Sequence, residues 1–111
     1  MDVADKPIAW VATARRDIRA FPANARREAG FELHRVQQGL DPDDWKPMPT
    51  IGPGVREIRI HTDLEHRVFY VATFADAVYV LHAFEKKTQK TARRDLDLAA
   101  ARLRELKRGS R

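Results

Sequence analysis

Residues 55–90, with the sequence VREIRIHTDLEHRVFYVATFADAVYVLHAFEKKTQK, are the part of the chain that most constrains its fold. Three segments within them alternate apolar and polar residues, which is typical of β-strands that place one face on a core. Turn-like residues at 63–65 and 75–77 separate these segments, so we expect an antiparallel meander. The third segment, residues 78–84, is apolar on both sides, which predicts a central strand covered on both faces.

Basic side chains occupy many of the polar positions in this stretch. They are Arg56, Arg59 and Arg67 in the first two strands, and Lys86, Lys87 and Lys90 after the third strand. The alternation predicts that the arginines lie on a solvent-exposed face of the sheet, with the lysines at one end of it. A basic sheet face that ends in lysines is a plausible platform for a polyanion.

Length and charge limit the classes of protein to consider. The chain has 111 residues, which predicts a single domain over residues 1–111. Its net charge is +5, mostly from arginine, and arginine favours nucleic acid because its guanidinium pairs with phosphate and stacks on bases. The absence of cysteine excludes disulfides and thiol catalysis. Without a membrane-spanning apolar run or a signal-peptide pattern, we expect a cytoplasmic protein with no membrane partner.

The segments before the meander indicate one short strand and two helices. Residues 8–13 predict a strand that must pair at long range, because the other strands come much later. Residues 14–21 predict a short helix, and Pro22 suits the first turn of a second helix that ends near Gly39. We expect these helices to form a hairpin that packs on the sheet.

The remaining segments are a proline-rich loop and a C-terminal helix. Residues 41–54 hold four of the six prolines, so we expect an ordered loop without regular structure, in which Trp45 is a packing anchor. Thr91 can cap a helix that runs to about Lys107, with apolar residues at helical spacing on one side. We expect the last three residues to be frayed.

Common catalytic patterns are missing from the sequence. No glycine-rich phosphate loop precedes a helix, and Ser110 in the tail is the only serine. His61 and His66 could approach across a turn, but no carboxylate cluster supports a metal site. We therefore expect neither a metal nor a cofactor.

A cationic cluster is what remains, with Tyr70 and His82 near it. Such groups can bind an RNA phosphate, stabilise the charge of a pentacoordinate transition state and assist attack by the neighbouring 2′-hydroxyl. The same cluster could also bind RNA passively or be a solvated basic face. The residues by themselves leave these three alternatives open.

Three sequence elements together resemble the RelE/ParE superfamily. They are GVREIR at residues 54–59, RVFY at residues 67–70 and LHAFEKKTQKT at residues 81–91. More narrowly, they are similar to the phage-related, HigB-like toxins of type II toxin–antitoxin systems. The resemblance implies an α+β, RelE-like fold: an N-terminal strand and helix hairpin packed on a small antiparallel sheet, with a C-terminal helix. Ala92 departs from the proline that the family usually has there.

The same resemblance implies a function and a set of partners. The toxin would be a metal-independent endoribonuclease, an mRNA interferase that cleaves mRNA in the ribosome and inhibits translation. Its partner would be a helix-turn-helix, HigA-like antitoxin. The toxin would contact operator DNA only through this antitoxin. Two alternatives stay open: a ParE-like inhibitor of DNA gyrase without nuclease activity, and an inactive relative that only binds its antitoxin.

Site residues follow from the resemblance by position. Arg59 and Arg67 would hold the scissile phosphate, and Lys86 and Lys87 would stabilise charge or the leaving group. Tyr70 and His82 are further catalytic candidates, although each is also explained by a structural role in the sheet. The predicted RNA-binding residues are Arg56, Lys90, Arg93 and Arg94.

Overall fold

The computed structural model describes residues 5–109, which form three helices and five strands. In chain order the elements are β1 (Ile8–Trp10), α1 (Ala14–Arg19), α2 (Ala23–Gln37), β2 (Trp45–Pro47), β3 (Val55–His61), β4 (Glu65–Val71), β5 (Val78–Glu85) and α3 (Arg93–Gly109). The elements confirm an α+β fold of the RelE-like type. Within residues 5–109, no helix combines the length and the apolar character that crossing a membrane requires.

The strands form a single sheet in the order β1-β5-β4-β3-β2. As predicted, β3, β4 and β5 are an antiparallel meander. The N-terminal strand β1 pairs at long range with β5, and Ile8 lies opposite Val78. This pairing is parallel, whereas the other three strand pairings are antiparallel, so the sheet is mixed and not wholly antiparallel.

The proline-rich segment contains a strand, which corrects the prediction of an irregular loop. Residues Trp45–Pro47 form β2, which pairs with β3 and places Pro47 opposite Arg56. Proline fits there because β2 is an edge strand, where a backbone N–H need not donate to a neighbour. Gly39 ends α2 with a positive φ of 84°, as its position predicted.

Both faces of the sheet are covered, and each has its own core. The core on the face that packs against α1 and α2 includes Ile18, Leu33, Ile58, Val68 and Val80. The core on the face that packs against α3 includes Val55, Phe69, Leu81, Ala99 and Leu103. The prediction that β5 is a covered central strand is confirmed, and β4 is equally enclosed.

The expectation of a solvent-exposed arginine face is wrong. Arg67 is 6% exposed and its neighbour Glu57 is 1% exposed, because both lie on the face that α3 covers. The apolar stripe of α3 fixes this arrangement, since Ala99 and Leu103 are buried against the sheet. Strand periodicity showed which residues share a face, but not that a distant helix covers it.

A β-bulge in β5 sets the orientation of His82. Phe69 pairs with His82 whereas the next residue, Tyr70, pairs with Val80, so Leu81 is the extra residue. Leu81 packs in the core beneath α3, and His82 contacts Asp95 of the same helix. The bulge therefore directs two consecutive side chains to the α3 face.

Candidate functional site

Arg59 and Arg67 lie directly opposite each other on β3 and β4, with Glu57 beside them. The Glu57 carboxylate is 3.2 Å from Nε of Arg59 and 4.0 Å from Nε of Arg67. Two like charges across a strand pair would otherwise repel each other. The buried carboxylate offsets that repulsion through an ion pair with Arg59 that extends to Arg67.

The two arginines differ in how far they can reach. Nη1 of Arg67 lies 3.0 Å from a Glu65 carboxylate oxygen and donates to the His66 carbonyl over 2.9 Å. Its side chain is 7% exposed, whereas that of Arg59 is 34% exposed. Arg67 is therefore held within the protein, and Arg59 is the one of the pair that reaches solvent.

His61 extends these ion pairs to the turn between β3 and β4. Its ring nitrogens are 2.6 Å from Asp44 and 2.8 Å from Glu65. Hydrogen bonds to Asp44 and then to Glu65 raise the pKa of His61, and the same histidine, followed by Arg67, lowers the pKa of Glu65. The Lys86 backbone N–H donates to the Glu65 carbonyl over 2.7 Å, so the network ends next to the predicted lysine cluster.

A small cleft of about 110 Å³ opens where β5 ends and α3 begins. Its cationic lining residues are Lys86, Lys87 and Arg94, and we call it the lysine cleft. The Lys86 ammonium donates to the Gln89 carbonyl over 2.6 Å, and Lys87 and Arg94 are exposed. Within residues 5–109, no carboxylate lies within 4 Å of these three cations, so their charge is available to an outside anion.

His82 lies beneath the cleft and is held from both sides. Its Nε2 is 2.7 Å from a carboxylate oxygen of Asp95, and its Nδ1 is 3.5 Å from Nη1 of Arg102. Its ring stacks on Phe84 with centroids 5.0 Å apart. Because both ring nitrogens face protein groups and the residue is 6% exposed, the geometry favours a positioning role for His82.

Asp95 and Arg102 are the members of this site that the sequence reasoning missed. Asp95 sits in the first turn of α3, and Arg102 lies further along the same helix and donates to the Leu81 carbonyl over 2.8 Å. Arg102 also donates to the Thr13 hydroxyl over 3.0 Å. Neither residue belongs to a recognisable motif, and only their contacts with β5 and the segment before α1 mark them.

Tyr70 and Arg56 lie on the other face of the sheet, away from the lysine cleft. Tyr70 packs in the core beneath α2 and is 1% exposed, because its position in β4 places its side chain on the face opposite to that of Arg67. Burial raises the pKa of its hydroxyl, and the neighbouring Arg56 opposes that shift. Arg56 is 2.9 Å from Asp41 and stacks 4.0 Å above the Trp45 ring. The structure therefore does not bring these residues into one site with Arg59.

Lys90 and Arg93 flank the lysine cleft without lining it. Both are exposed, and Nε of Arg93 lies 3.3 Å from an Asp97 carboxylate on the solvent side of α3. Of the four predicted RNA-binding residues, Arg94 lines the cleft, these two are beside it, and Arg56 is elsewhere.

The two histidines considered for a metal site face opposite ways. His61 is exposed and bound to carboxylates, whereas His66 is 1% exposed and packs on the Phe21 ring with centroids 4.3 Å apart. Across residues 5–109, no group of three or more histidine, aspartate or glutamate side chains is arranged to hold a metal ion.

The sheet order, the helices on its two faces and the cleft at the start of α3 define a protein with the RelE-like toxin fold. The family described as "Phage derived protein Gp49-like (DUF891)" matches residues 16–104. The chain belongs to this family, which is a family of RelE/ParE-like toxins. Membership makes it a toxin of a toxin–antitoxin system, with an antitoxin as its partner. No curated protein matches the chain.

Proposed function

We propose that the protein is a metal-independent endoribonuclease that cleaves mRNA on the ribosome and thereby inhibits translation. The observation that carries this proposal is the lysine cleft, where Lys86, Lys87 and Arg94 have no carboxylate partner among the described residues. Glu85 and Asp95 also line the cleft, and three cations against these two carboxylates leave a net positive charge. Such a cleft suits a group that is negatively charged and gains charge during reaction. A phosphodiester attacked by the adjacent 2′-hydroxyl is such a group.

The reaction needs charge stabilisation and two proton transfers. The 2′-oxygen loses its proton to solvent water and forms a bond to phosphorus, and the bond from phosphorus to the 5′-oxygen breaks. The products are a 2′,3′-cyclic phosphate and a 5′-hydroxyl end. In the pentacoordinate transition state the cleft cations stabilise the equatorial oxygens, each contributing about 2–4 kcal/mol where it is well aligned. The exposed Lys87 ammonium can donate the proton that the leaving 5′-oxygen takes up.

Dependence on the ribosome is supported by what surrounds the cleft. His82 is held by Asp95 and Arg102, so it does not present a free ring nitrogen to a substrate. The Asp95 carboxylate that lines the cleft is itself bonded to His82. The cleft thus supplies positive charge, and alignment of the 2′-hydroxyl for in-line attack falls to a second surface. A ribosome that holds the mRNA can provide that alignment.

Arg59 and Arg67 receive different roles in this proposal. Arg59, a third exposed, can contact the RNA backbone beside the cleft. Arg67 is enclosed by Glu57 and Glu65, so it positions the β3–β4 end of the sheet and does not itself hold the phosphate. The helix-turn-helix, HigA-like nature of the antitoxin is also part of the proposal, as is repression of the operon through that partner.

Expression of the toxin and mapping of RNA ends on translated messages tests the proposal. We expect new 5′-hydroxyl ends within coding regions, and their loss when translation initiation is blocked. Growth arrest with DNA damage signalling and without new mRNA ends would instead indicate a gyrase inhibitor. Neither arrest nor new ends would indicate a relative that only binds its antitoxin.

Lys87→Gln is the sharpest variant, because Lys87 is exposed and its loss leaves the core intact. We expect cleavage to fall at least 100-fold, since one donor to developing charge is removed, while antitoxin binding is retained. Lys107→Gln is the matched control: it removes the same charge from the exposed C-terminal end of α3 and leaves cleavage unchanged. Full cleavage by Lys87→Gln would refute the assignment of the cleft.

A further inference from the structure

A second cavity, of about 430 Å³, lies on the face of the sheet opposite the lysine cleft. It is bounded by the C-terminal end of α2 and by the ends of β3 and β4. Its charged lining residues are Lys6, Arg56 and Asp41, and its apolar side chains are those of Val36, Leu40 and Ala72. The uncharged polar residues of the lining are Gln37, Gln38, Tyr70 and Thr73. The volume falls within the range of small-molecule sites, and the proposed nuclease uses none of these residues.

The Tyr70 hydroxyl is buried in this region and has no hydrogen-bond partner. Buried hydroxyls nearly always have a partner, because an unmade hydrogen bond in the interior costs free energy. Tyr70 lies opposite Arg56 across the β3–β4 pair, and the Arg56 guanidinium is close enough to the hydroxyl oxygen to oppose the rise of its pKa. A guanidinium only donates hydrogen bonds, so the Tyr70 hydroxyl proton has no acceptor. An acceptor placed between these groups would bond to both.

Lys6 closes the other end of the cavity. Its ammonium donates to the carbonyls of Ala72 and Phe74 over 2.6 and 2.7 Å. No carboxylate lies within 4 Å of this ammonium in the part of the chain from residue 5 to residue 109. The Lys6 backbone N–H donates to the Gln37 carbonyl, and the Gln37 side-chain amide donates to the Lys6 carbonyl. These bonds hold the N-terminal segment against α2, so Lys6 is fixed in place.

The charges of the lining favour an anion. Lys6 and Arg56 are cationic, and Asp41 is the one carboxylate in the lining. Asp41 engages Arg56 through Nη1 alone, over 2.9 Å, which leaves the other N–H groups of the guanidinium. Val36, Leu40 and Ala72 form an apolar part of the wall, and Leu40 at 50% exposure is one of the large apolar side chains left on the surface. A ligand with an apolar body would cover it.

We propose that this cavity binds a carboxylate that carries a short apolar chain. The carboxylate lies between Lys6 and Arg56 and accepts the hydrogen bond of the Tyr70 hydroxyl, and the apolar chain packs on Val36 and Leu40. The same chemistry occurs in a free organic acid and in a carboxylate presented by a peptide segment of a partner protein. The proposal does not depend on nuclease activity, because it concerns the other face of the sheet.

Titration of the full-length protein with hexanoate, followed by amide chemical shifts, tests the proposal. We expect saturable shifts at residues 36–41, 54–56 and 70–73, with at least tenfold weaker binding of hexanol and of hexylamine. Peptides with a free C-terminal leucine carboxylate, and their amidated forms, distinguish the two sources. Binding of hexanoate alone indicates a free acid, and tighter binding of the free-carboxylate peptide indicates a partner segment. Absence of saturable shifts with both probes would overturn the proposal.

Two variants make the test specific to the site. Tyr70→Phe removes the unpartnered hydroxyl and keeps the ring, so we expect a Tm equal to or above that of the wild type with binding at least fivefold weaker. Lys6→Gln should weaken binding at least tenfold. Lys46→Gln, an exposed lysine on the edge strand β2, is the matched control and should bind as the wild type does. Unchanged affinity in both Tyr70→Phe and Lys6→Gln would contradict the assignment.

Discussion

Glu32 shows at the scale of a single residue how burial sets the cost of a charge. This α2 residue is 2% exposed, and one carboxylate oxygen accepts the Asp43 backbone N–H while the other has no partner. Burial raises the pKa of Glu32 above its ordinary 4.5, against the opposing hydrogen bond from Asp43. A carboxyl with a raised pKa in the fold opposes folding when it ionises, so stability falls as pH rises above 4.5.

Glu32→Gln should therefore stabilise the protein at neutral pH. We expect a gain on the order of 1 kcal/mol in the free energy of unfolding at pH 7, because the cost of the buried charge is removed. The gain should shrink as pH falls towards and below 4.5, where the wild-type carboxyl is protonated too. Urea denaturation at pH 7 and pH 4 measures the gain in stability at neutral pH and its decrease in acid.

Glu28→Gln is the control for this prediction, since Glu28 is an exposed carboxylate on the same helix. We expect it to change the free energy of unfolding by less than about 0.5 kcal/mol at either pH. A destabilised Glu32→Gln at pH 7 would mean that the ionised carboxylate contributes more through Asp43 than it costs by burial.

Arg59 and Arg67 illustrate a second point about individual residues. Both alternate with apolar neighbours in their strands, and both were predicted to hold the phosphate. In the structure Glu57 and Glu65 enclose Arg67, and Arg59 keeps a third of its side chain exposed. Two arginines at equivalent strand positions thus differ in whether they can contact a phosphate, because the carboxylates around them differ.

At the scale of elements, the docking of α3 on β5 is what builds the lysine cleft. Arg102 joins the helix to the Leu81 carbonyl and to the Thr13 hydroxyl, and Asp95 joins it to His82. Arg102 is partly buried, and burial lowers the pKa of its guanidinium. These contacts place the first turn of α3 beside Lys86.

Arg102→Met should weaken this docking. It keeps the aliphatic stem but leaves a buried carbonyl and a hydroxyl without their donor, so we expect a loss of about 1–3 kcal/mol in stability. Urea denaturation measures the loss, and amide hydrogen exchange should show faster opening in α3 and around Leu81 than in α2. Arg104→Met, at an exposed position of the same helix, should be close to neutral. Equal effects of the two substitutions would argue against a docking role for Arg102.

At the scale of the whole molecule, the basic side chains behind the net charge of +5 differ in whether they are free to bind an anion. Several arginines are neutralised by carboxylates within the fold, including Arg59, Arg67 and Arg56. The three cations of the lysine cleft have no such partner within the described residues. Binding of RNA at that end should therefore carry a clear electrostatic signature.

We expect the affinity for single-stranded RNA to fall steeply with salt. If the three cleft cations each neutralise a phosphate, the slope of log K against log salt should be about −2, at about −0.7 per contact. Lys87→Gln should reduce that slope by about 0.7, and Lys107→Gln should leave it unchanged. Fluorescence anisotropy over a range of salt concentrations measures these slopes. A slope near zero for the wild type would show that the cleft does not bind the RNA backbone.

Several features were determined by the sequence itself, because they depend on neighbouring residues. The alternation in residues 55–84 specified the meander, and the apolar run at residues 78–84 specified a central strand. Gly39 marked the end of α2, and the lysines after β5 marked the end of the sheet where the cleft lies. The resemblance in three short elements indicated the toxin class that the family match supports.

Other features were decided by tertiary structure alone. Strand parity separated Tyr70 from Arg67, but only packing showed that α3 covers the Arg67 face and that a cavity lies beside Tyr70. The contacts of His82 with Asp95 and Arg102 join residues 13 and 20 positions apart, and the bulge at Leu81 makes them possible. Periodicity reports which residues share a face, whereas burial and ion pairing depend on which distant elements meet that face.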